Sequence, residues 1–268
     1  MDKGAAFRGL HDKTFVIPNP WDIGTAKLLE HLGFKALATT SAGFAFSRGL
    51  ADGAVGFEAM IAHCKELAAA TDLPVSADLE KGKGDSPESA AETIFAAEAA
   101  GLAGCSLEDH TGNPAKPIYA FSHAVERVAA AVEATRSLKR DFVFTARAEN
   151  YLWDIKDLDD TIRRLQAFEK AGADVLYAPG VGDIGTVKAI CSSVTRPVNV
   201  LAVSGFSVQA LAEAGAKRIS VGSKLSTAAF GAVRRAAQEM LGAGTFDYAK
   251  EGMPFGELQA LFGKSSSE

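Results

Sequence analysis

Four times along the chain a helix end passes through a glycine into a short apolar run that finishes in small or polar residues: HLGFKALATTS (31–41), AAGLAGCSLED (99–109), KAGADVLYAPG (170–180) and EAGAKRISVGS (213–223). A glycine at that point supplies the left-handed cap that ends a helix, and the run after it is too apolar to face water on either side. Each phrase is an αβ half-unit. FVIP (15–18), PVSADL (74–79), FVFTARA (142–148) and VNVLAV (198–203) raise the strand count to eight. Alanine-rich or amphipathic stretches at 23–32, 57–70, 87–100, 122–138, 158–171, 184–194, 207–214 and 225–241 supply eight helices between and after them. Ser86-Pro87 and Ser122 before His123 read as helix starts.

Strict alternation of buried strands with helices predicts an α/β fold, a single (β/α)8 barrel. A doubly wound sheet would carry a glycine-rich turn after its first strand, and PNPWDIG is not one. The 268 residues match the length of about 250 that such barrels take. We read 1–268 as one barrel domain, with 242–268 as a C-terminal helical extension and a loose tail from Lys264.

The composition, 47% hydrophobic and 23% charged with a net charge of -5, fits a globular protein with a sizeable core. It offers no basic stripe, so nucleic acid and anionic membrane are not expected partners. No apolar run of about 18 residues or signal-like N-terminus is present. Cys64, Cys105 and Cys191 are scattered and odd in number, which argues against a disulfide framework or zinc site and for a reducing cytoplasm.

In a (β/α)8 barrel the chemistry lies at the C-terminal ends of the strands, and side-chain alternation shows which residues share a face. The third strand aligns Ser76, Asp78 and Glu80. The fourth aligns Ser106 and Glu108, with Cys105 opposite. The fifth aligns Thr145, Arg147 and Glu149. Asp78, Glu80 and Glu108 would meet at the barrel mouth, where like charges raise one another's pKa or recruit a cation. Oxygen ligands without histidine or cysteine suit Mg²⁺ or Mn²⁺ held partly through water. The alternative is that Lys81, Lys83 and Arg147 pair with these acids. Arg147, a planar fork, suits a substrate carboxylate, or a structural pair with Glu149 or Glu108. SAGFAFSRGLAD (41–52) reads either as a cradle of backbone N–H groups for an oxyanion or as a tight loop.

These phrases together resemble the isocitrate lyase/phosphoenolpyruvate mutase superfamily: PNPWDIGTAKLLE, TTSAG with GLAD, SADLEKGKG, SLED, TARAE and PVNVLA, in that order. The resemblance implies a Mg²⁺-dependent barrel that forms or breaks a C–C or P–C bond beside the carbonyl of a 2-oxo acid or related dicarboxylate. It implies Asp78 as main metal ligand, with Glu80, Glu108 and Asp52 completing the acidic set and Asp52 and Glu108 serving catalysis. Ser41, Ala42, Gly43 and Asn199 would bind substrate, with Arg147 clamping its carboxylate. It also implies a homo-oligomer, dimer or tetramer.

The isocitrate and methylisocitrate lyases carry a Lys-Lys-Cys-Gly-His phrase after the fourth strand, where this chain has DHTGNPAKPIY (109–119). Asn113 and Lys116 also lack the spacing of the mutase and phosphonopyruvate hydrolase branch. The sequence therefore favours cleavage of a 2-oxo or hydroxy di-acid through a metal-stabilised enolate, as in oxaloacetate decarboxylation. P–C bond chemistry, a methylisocitrate lyase-like reaction and an inactive binding barrel are the alternatives. His110, His123 and Lys116 are the loop residues that could donate a proton.

Overall fold

The computed structural model describes residues 2–263; the tail expected from Lys264 lies outside them. Eight parallel strands form one sheet: β1 (Phe15–Ile17), β2 (Leu37–Ala38), β3 (Val75–Asp78), β4 (Gly104–Glu108), β5 (Val143–Arg147), β6 (Val175–Tyr177), β7 (Val198–Leu201) and β8 (Arg218–Ser220). Neighbours pair in sequence order, and β1 pairs with β8, which gives the nearly closed (β/α)8 barrel that the half-units predict. At the remaining seam, Ala38 N–H donates to Pro18 O at 3.0 Å. Asn19 helps to hold the ends there: its amide donates to Thr39 O, and its carbonyl accepts from Val221 and Gly222 N–H.

The helices are α1 (Lys3–Leu10), α2 (Ile23–His31), α3 (Ser41–Ser47), α4 (Phe57–Ala69), α5 (Pro87–Ala99), α6 (Phe121–Ser137), α7 (Leu158–Ala171), α8 (Ile184–Ser192), α9 (Val208–Glu213), α10 (Lys224–Gly242) and α11 (Phe255–Phe262). Ser86 caps α5 as expected, its hydroxyl accepting from Ser89 N–H. Ser122 does not start α6; the helix begins one residue earlier, with Ala120 as a cap that makes no side-chain bond. Asp22 and Asp157 cap α2 and α7 through their carboxylates. Beyond α10 come a 3-10 turn (Asp247–Glu251) and α11, which folds back until Phe262 approaches Gly24 of α2. Among the described residues no helix is long and apolar enough to cross a membrane.

Two elements were not legible in the sequence. The segment after β2 is a short helix, α3, rather than a loop. The N-terminal α1 packs at the bottom of the barrel: Phe7 is fully buried and clusters with Ile17, Ala36, Ala103, Val143 and Val175. Arg8 fixes that docking by pairing with Asp141 and Asp174. Gly4 permits it, since a Cβ there would lie 1.8 Å from the carbonyl oxygen of Asp141.

His11, just after α1, is buried between Phe7 and Phe15 at ring distances of 5.1 Å. Burial, with the charge of Arg218 adding to it, pushes its pKa down to about 4. The folded state therefore favours neutral His11. The resulting stability is complete above the ordinary histidine pKa of about 6.5 and is lost as pH falls towards 4. We expect urea midpoints to fall between these pH values and the fall to shrink in His11→Asn. Phe7→Ala should cost about 3–5 kcal/mol in the same unfolding assay at pH 7.

Candidate active site

At the C-terminal ends of the strands lies a cavity of about 540 Å³. It is bordered by Ser41 and Ala42 from α3, Asp52 from the following loop, Asp78 and Glu80 from and after β3, Glu108 from β4, Arg147 from β5 and Asn199 from β7. The barrel therefore brings together residues that are up to 158 positions apart in the chain (199 − 41), some from strands and others from α3 and the loops. Gly43 departs from expectation: it does not border the cavity. Its N–H is taken by Thr40 Oγ1, the helix cap, and its Cα faces Trp21 and Ser226, so it has no free donor to offer a substrate.

Arg147 is the hub. Its Nη1 lies 2.8 Å from Asp78, Nη2 2.9 Å from Glu108 and Nε 2.8 Å from Glu149, and its guanidinium sits 4.9 Å from the centre of the Tyr177 ring. Burial alone would lower the Arg147 pKa, but Glu108, Glu149 and Asp78 more than offset it and hold it well above the ordinary value. All three nitrogen positions are engaged. The structural pairing weighed for Arg147 is thus realised, with each nitrogen of the fork committed to a protein carboxylate.

The lysines do not share that work. Lys81 pairs with Asp85 and Lys83 with Glu92. Among the described residues, Arg147 is consequently the one arginine or lysine paired with the acids of the mouth. Ser41 Oγ lies 3.0 Å from Asp78 and 3.5 Å from Asp52, and its single proton serves the shorter contact. Burial, followed by the charges of Asp78 and Asp52, pushes Glu80 up to about 7. Burial and then Asp78 raise Asp52 as well, and burial raises Glu108 well above the ordinary carboxylate range despite Arg147. Glu80 also has a φ of 51°, the left-handed region that side chains rarely adopt. Such a conformation persists only where surrounding contacts enforce it.

This donor set bears on the expected metal. Among the described residues no three acids, histidines or cysteines are grouped closely enough to hold a bare ion. The expectation that Asp78, Glu80 and Glu108 converge directly is corrected on that point, because Arg147 stands between Asp78 and Glu108. Crowded carboxylates with raised pKa values do fit a hydrated divalent ion, and Mg²⁺ in particular keeps several of its waters.

Of the loop residues, His110 reaches the cavity. It stacks on Trp153 with ring centres 4.5 Å apart, and its Nδ1 lies 3.8 Å from Glu108. Burial, then the charges of Lys81 and Arg147, lowers its pKa, which keeps the ring neutral near pH 7. His123 bonds instead to Asp85 O, and neither it nor Lys116 borders the cavity. Cys105 points away from the cavity and Cys64 is buried behind it, its thiol pushed up to about 12 by burial. Reading only the strand ends missed Arg218 and Tyr177, which also border the cavity. Their positions were legible in principle: Arg218 shares the parity of Ser220, and Tyr177 stands beside Arg147 on the neighbouring strand.

Residues 7–241 match the sequence pattern of the phosphoenolpyruvate phosphomutase family. The chain belongs to that family. It is 30% identical over 209 residues to 2-methylisocitrate lyase of Escherichia coli, covering 73% of this chain and 68% of that protein. A solved structure of a candidate lyase/mutase from Burkholderia cenocepacia is 50% identical and superposes with a TM-score of 0.96, covering 99% of this chain and 96% of the other. Oxaloacetate acetylhydrolase, solved with its product oxalate, is 26% identical with a TM-score of 0.86, covering 98% of this chain and 94% of its own. The family's barrel and its strand order are thus shared across relatives with lyase and hydrolase names.

Arg147→Met would leave Asp78, Glu108 and Glu149 without their shared cation, and breaking a buried ion pair costs about 3–5 kcal/mol. We expect that loss in chemical denaturation at pH 8 and a smaller one at pH 5, where the orphaned carboxyls can take up protons. Equal losses at the two pH values would count against the carboxylates as its cause.

Proposed function

We propose that this phosphoenolpyruvate phosphomutase family member is a Mg²⁺-assisted lyase that cleaves a C–C bond beside the carbonyl of a 2-oxo or hydroxy di-acid, with oxaloacetate decarboxylation as the model reaction. The observation that carries this reading is the ratio of charges at the mouth: of Asp52, Asp78, Glu80, Glu108 and Glu149, three pair with Arg147, and among the described residues no other arginine or lysine bonds to any of the five. A purely structural site has no need for that excess, since each uncompensated buried carboxylate is costly.

Asp78, with Glu80, Glu108 and Asp52 around it, would hold the ion through water. When bound, it would supply Lewis-acid stabilisation of negative charge on the substrate's oxo group. The remaining tasks fall to the chain. Ser41 and Ala42 N–H groups open the first turn of α3, where no preceding helical carbonyl can accept from them. These two N–H groups would bind the oxo-acid end of the substrate, and the Ser41 hydroxyl, which donates to Asp78, would join them only by giving up that contact. Loss of CO₂ leaves the bonding electron pair on the adjacent carbon as an enolate, so no base is needed to begin the reaction. Arg147 holds Asp78 and Glu108 in place, and would turn towards a substrate carboxylate only by loosening its contact with one of them. Trp153 and His110 form a stacked rim that would exclude water once substrate is bound.

The 2-methylisocitrate lyase and oxaloacetate acetylhydrolase relatives support chemistry at a di-acid. Among the described residues no cysteine borders the cavity, which speaks against using a thiol as the acid. We further propose that the protein is a homo-oligomer. From α10 onward it exposes Phe230, Val233, Leu241, Phe246 and Phe255 at 50–89% of their surfaces, an apolar area that a second copy of this chain would cover.

Purified protein should release CO₂ from oxaloacetate faster with Mg²⁺ than with chelator, and Asp78→Ala should lower kcat/KM by about 100-fold or more. Identical rates for both proteins, with and without chelator, would sink the metal-assisted reading. Light scattering should give a mass at least twice 28.0 kDa, and a monomer would remove the oligomer proposal.

A further inference from the structure

Below the acidic mouth the barrel holds a second arginine that the reaction proposed above does not use. Arg218 opens β8, is 5% exposed and borders the cavity. Its Nε donates to Asn199 Oδ1 and its Nη2 to Thr145 Oγ1, both at 2.9 Å. Its Nη1 is buried and has no hydrogen-bond partner among the described residues. It makes no salt bridge there either: its bonded neighbours are an amide and a hydroxyl, both neutral. Burial, with Arg147 adding to it, lowers its pKa to about 10, which still leaves it cationic near neutral pH.

The surroundings fix where this charge points. Phe7 lies on one side, with the guanidinium carbon 5.9 Å from the ring centre, and belongs to the apolar bottom layer of the barrel. The other side is polar: Asn199 donates from Nδ2 to Ser220 Oγ at 2.9 Å, and Ser220, Tyr177 and Ser106 border the same cavity. Thr145, which Arg218 touches, precedes Arg147 by two residues on β5 and shares its face. Arg218 therefore reaches a layer about 7 Å beneath the Arg147 layer, two residues of strand rise.

We propose that Arg218, oriented by Asn199 and Thr145, is a buried subsite for the second carboxylate of the substrate, so that the acid is held end-on with its distal group on the barrel floor. This deepens the reading above and rests on it for the position of the oxo-acid end. An uncompensated guanidinium bordering a polar pocket favours an anion, and Nη2, bonded once to Thr145, keeps a second N–H for it. The apolar Phe7 layer closes the pocket beneath it. The subsite thus selects short-chain di-acids over mono-acids of the same length.

The test uses succinate and butyrate, equal in carbon number and differing by one carboxylate, with Mg²⁺ present and binding read by calorimetry and by the shift in melting temperature. Wild-type protein should bind succinate at least tenfold more tightly than butyrate. Arg218→Met should bring the two within about threefold by weakening succinate, and Arg218→Lys should retain part of the preference. Equal binding of the pair by wild-type protein overturns the subsite, as does a wild-type ratio in folded Arg218→Met. Should Arg218→Met fail to fold, the wild-type pair and Arg218→Lys decide: a preference that Arg218→Lys neither reduces nor shifts also overturns it. Failure of the underlying reading registers separately, as wild-type protein that does not bind oxalate with Mg²⁺, because oxalate is too short to span from the mouth to Arg218.

Discussion

The contact on which the upper half of the barrel depends is the three-way pairing of Arg147 with Asp78, Glu108 and Glu149. It joins β3, β4 and the end of β5 in a region where every participant is largely removed from water. Separately, Glu108 and Glu149 would be strongly disfavoured as anions there. Together the three form a network in which the cation offsets part of the burial of Glu108 and Glu149 and fixes where each carboxylate sits. Glu80 and Asp52 lie outside that pairing, and their pKa values are raised by burial first and then by the neighbouring acids. The acidity of the mouth thus follows from a stoichiometry of one arginine to several carboxylates, more than from any single side chain.

The charges are also separated by depth. Acids dominate the mouth, the paired Arg147 lies among them, and the acid-free Arg218 lies one layer below. Small polar groups, Ser106, Thr145, Tyr177, Asn199 and Ser220, fill the space between, and the apolar layer around Phe7 closes the bottom. A cation at the mouth and an anion reaching to the floor would both meet complementary charge in this order. The barrel does this with strands of two to five residues, because each contributes one or two inward positions and eight strands share the work.

Much of the candidate site was legible from period-two alternation. Asp78, Glu80, Glu108 and Arg147 were assigned inward from parity alone, and all four border one cavity. The pairing of Arg147 was harder to read. Parity says which side chains share a face but not which of several oxygens a long guanidinium will reach, so the substrate clamp and the structural hub looked equivalent. Gly43 was misread because SAGFAFS has the small residues of a loop; it forms a helical turn because Thr40 caps it, and that cap uses the Gly43 N–H. Arg218 was overlooked because it starts its strand, and attention to strand ends ignores a side chain long enough to climb from the layer below.

The sequence by itself determined the barrel, its eight strands and the faces those strands turn inward, because burial on both sides and glycine-capped helix ends leave local marks that repeat. It also determined the chemical character of the mouth, since acids at strand ends have nowhere else to point. Tertiary structure alone decided that α1 plugs the bottom, that the two lysines pair with Asp85 and Glu92 and not with the acids of the mouth, and that one arginine pairs with three carboxylates while another has none. Those outcomes depend on distances between side chains far apart in the chain, and at a few ångströms electrostatic energy changes too steeply with distance for residue order to reveal it.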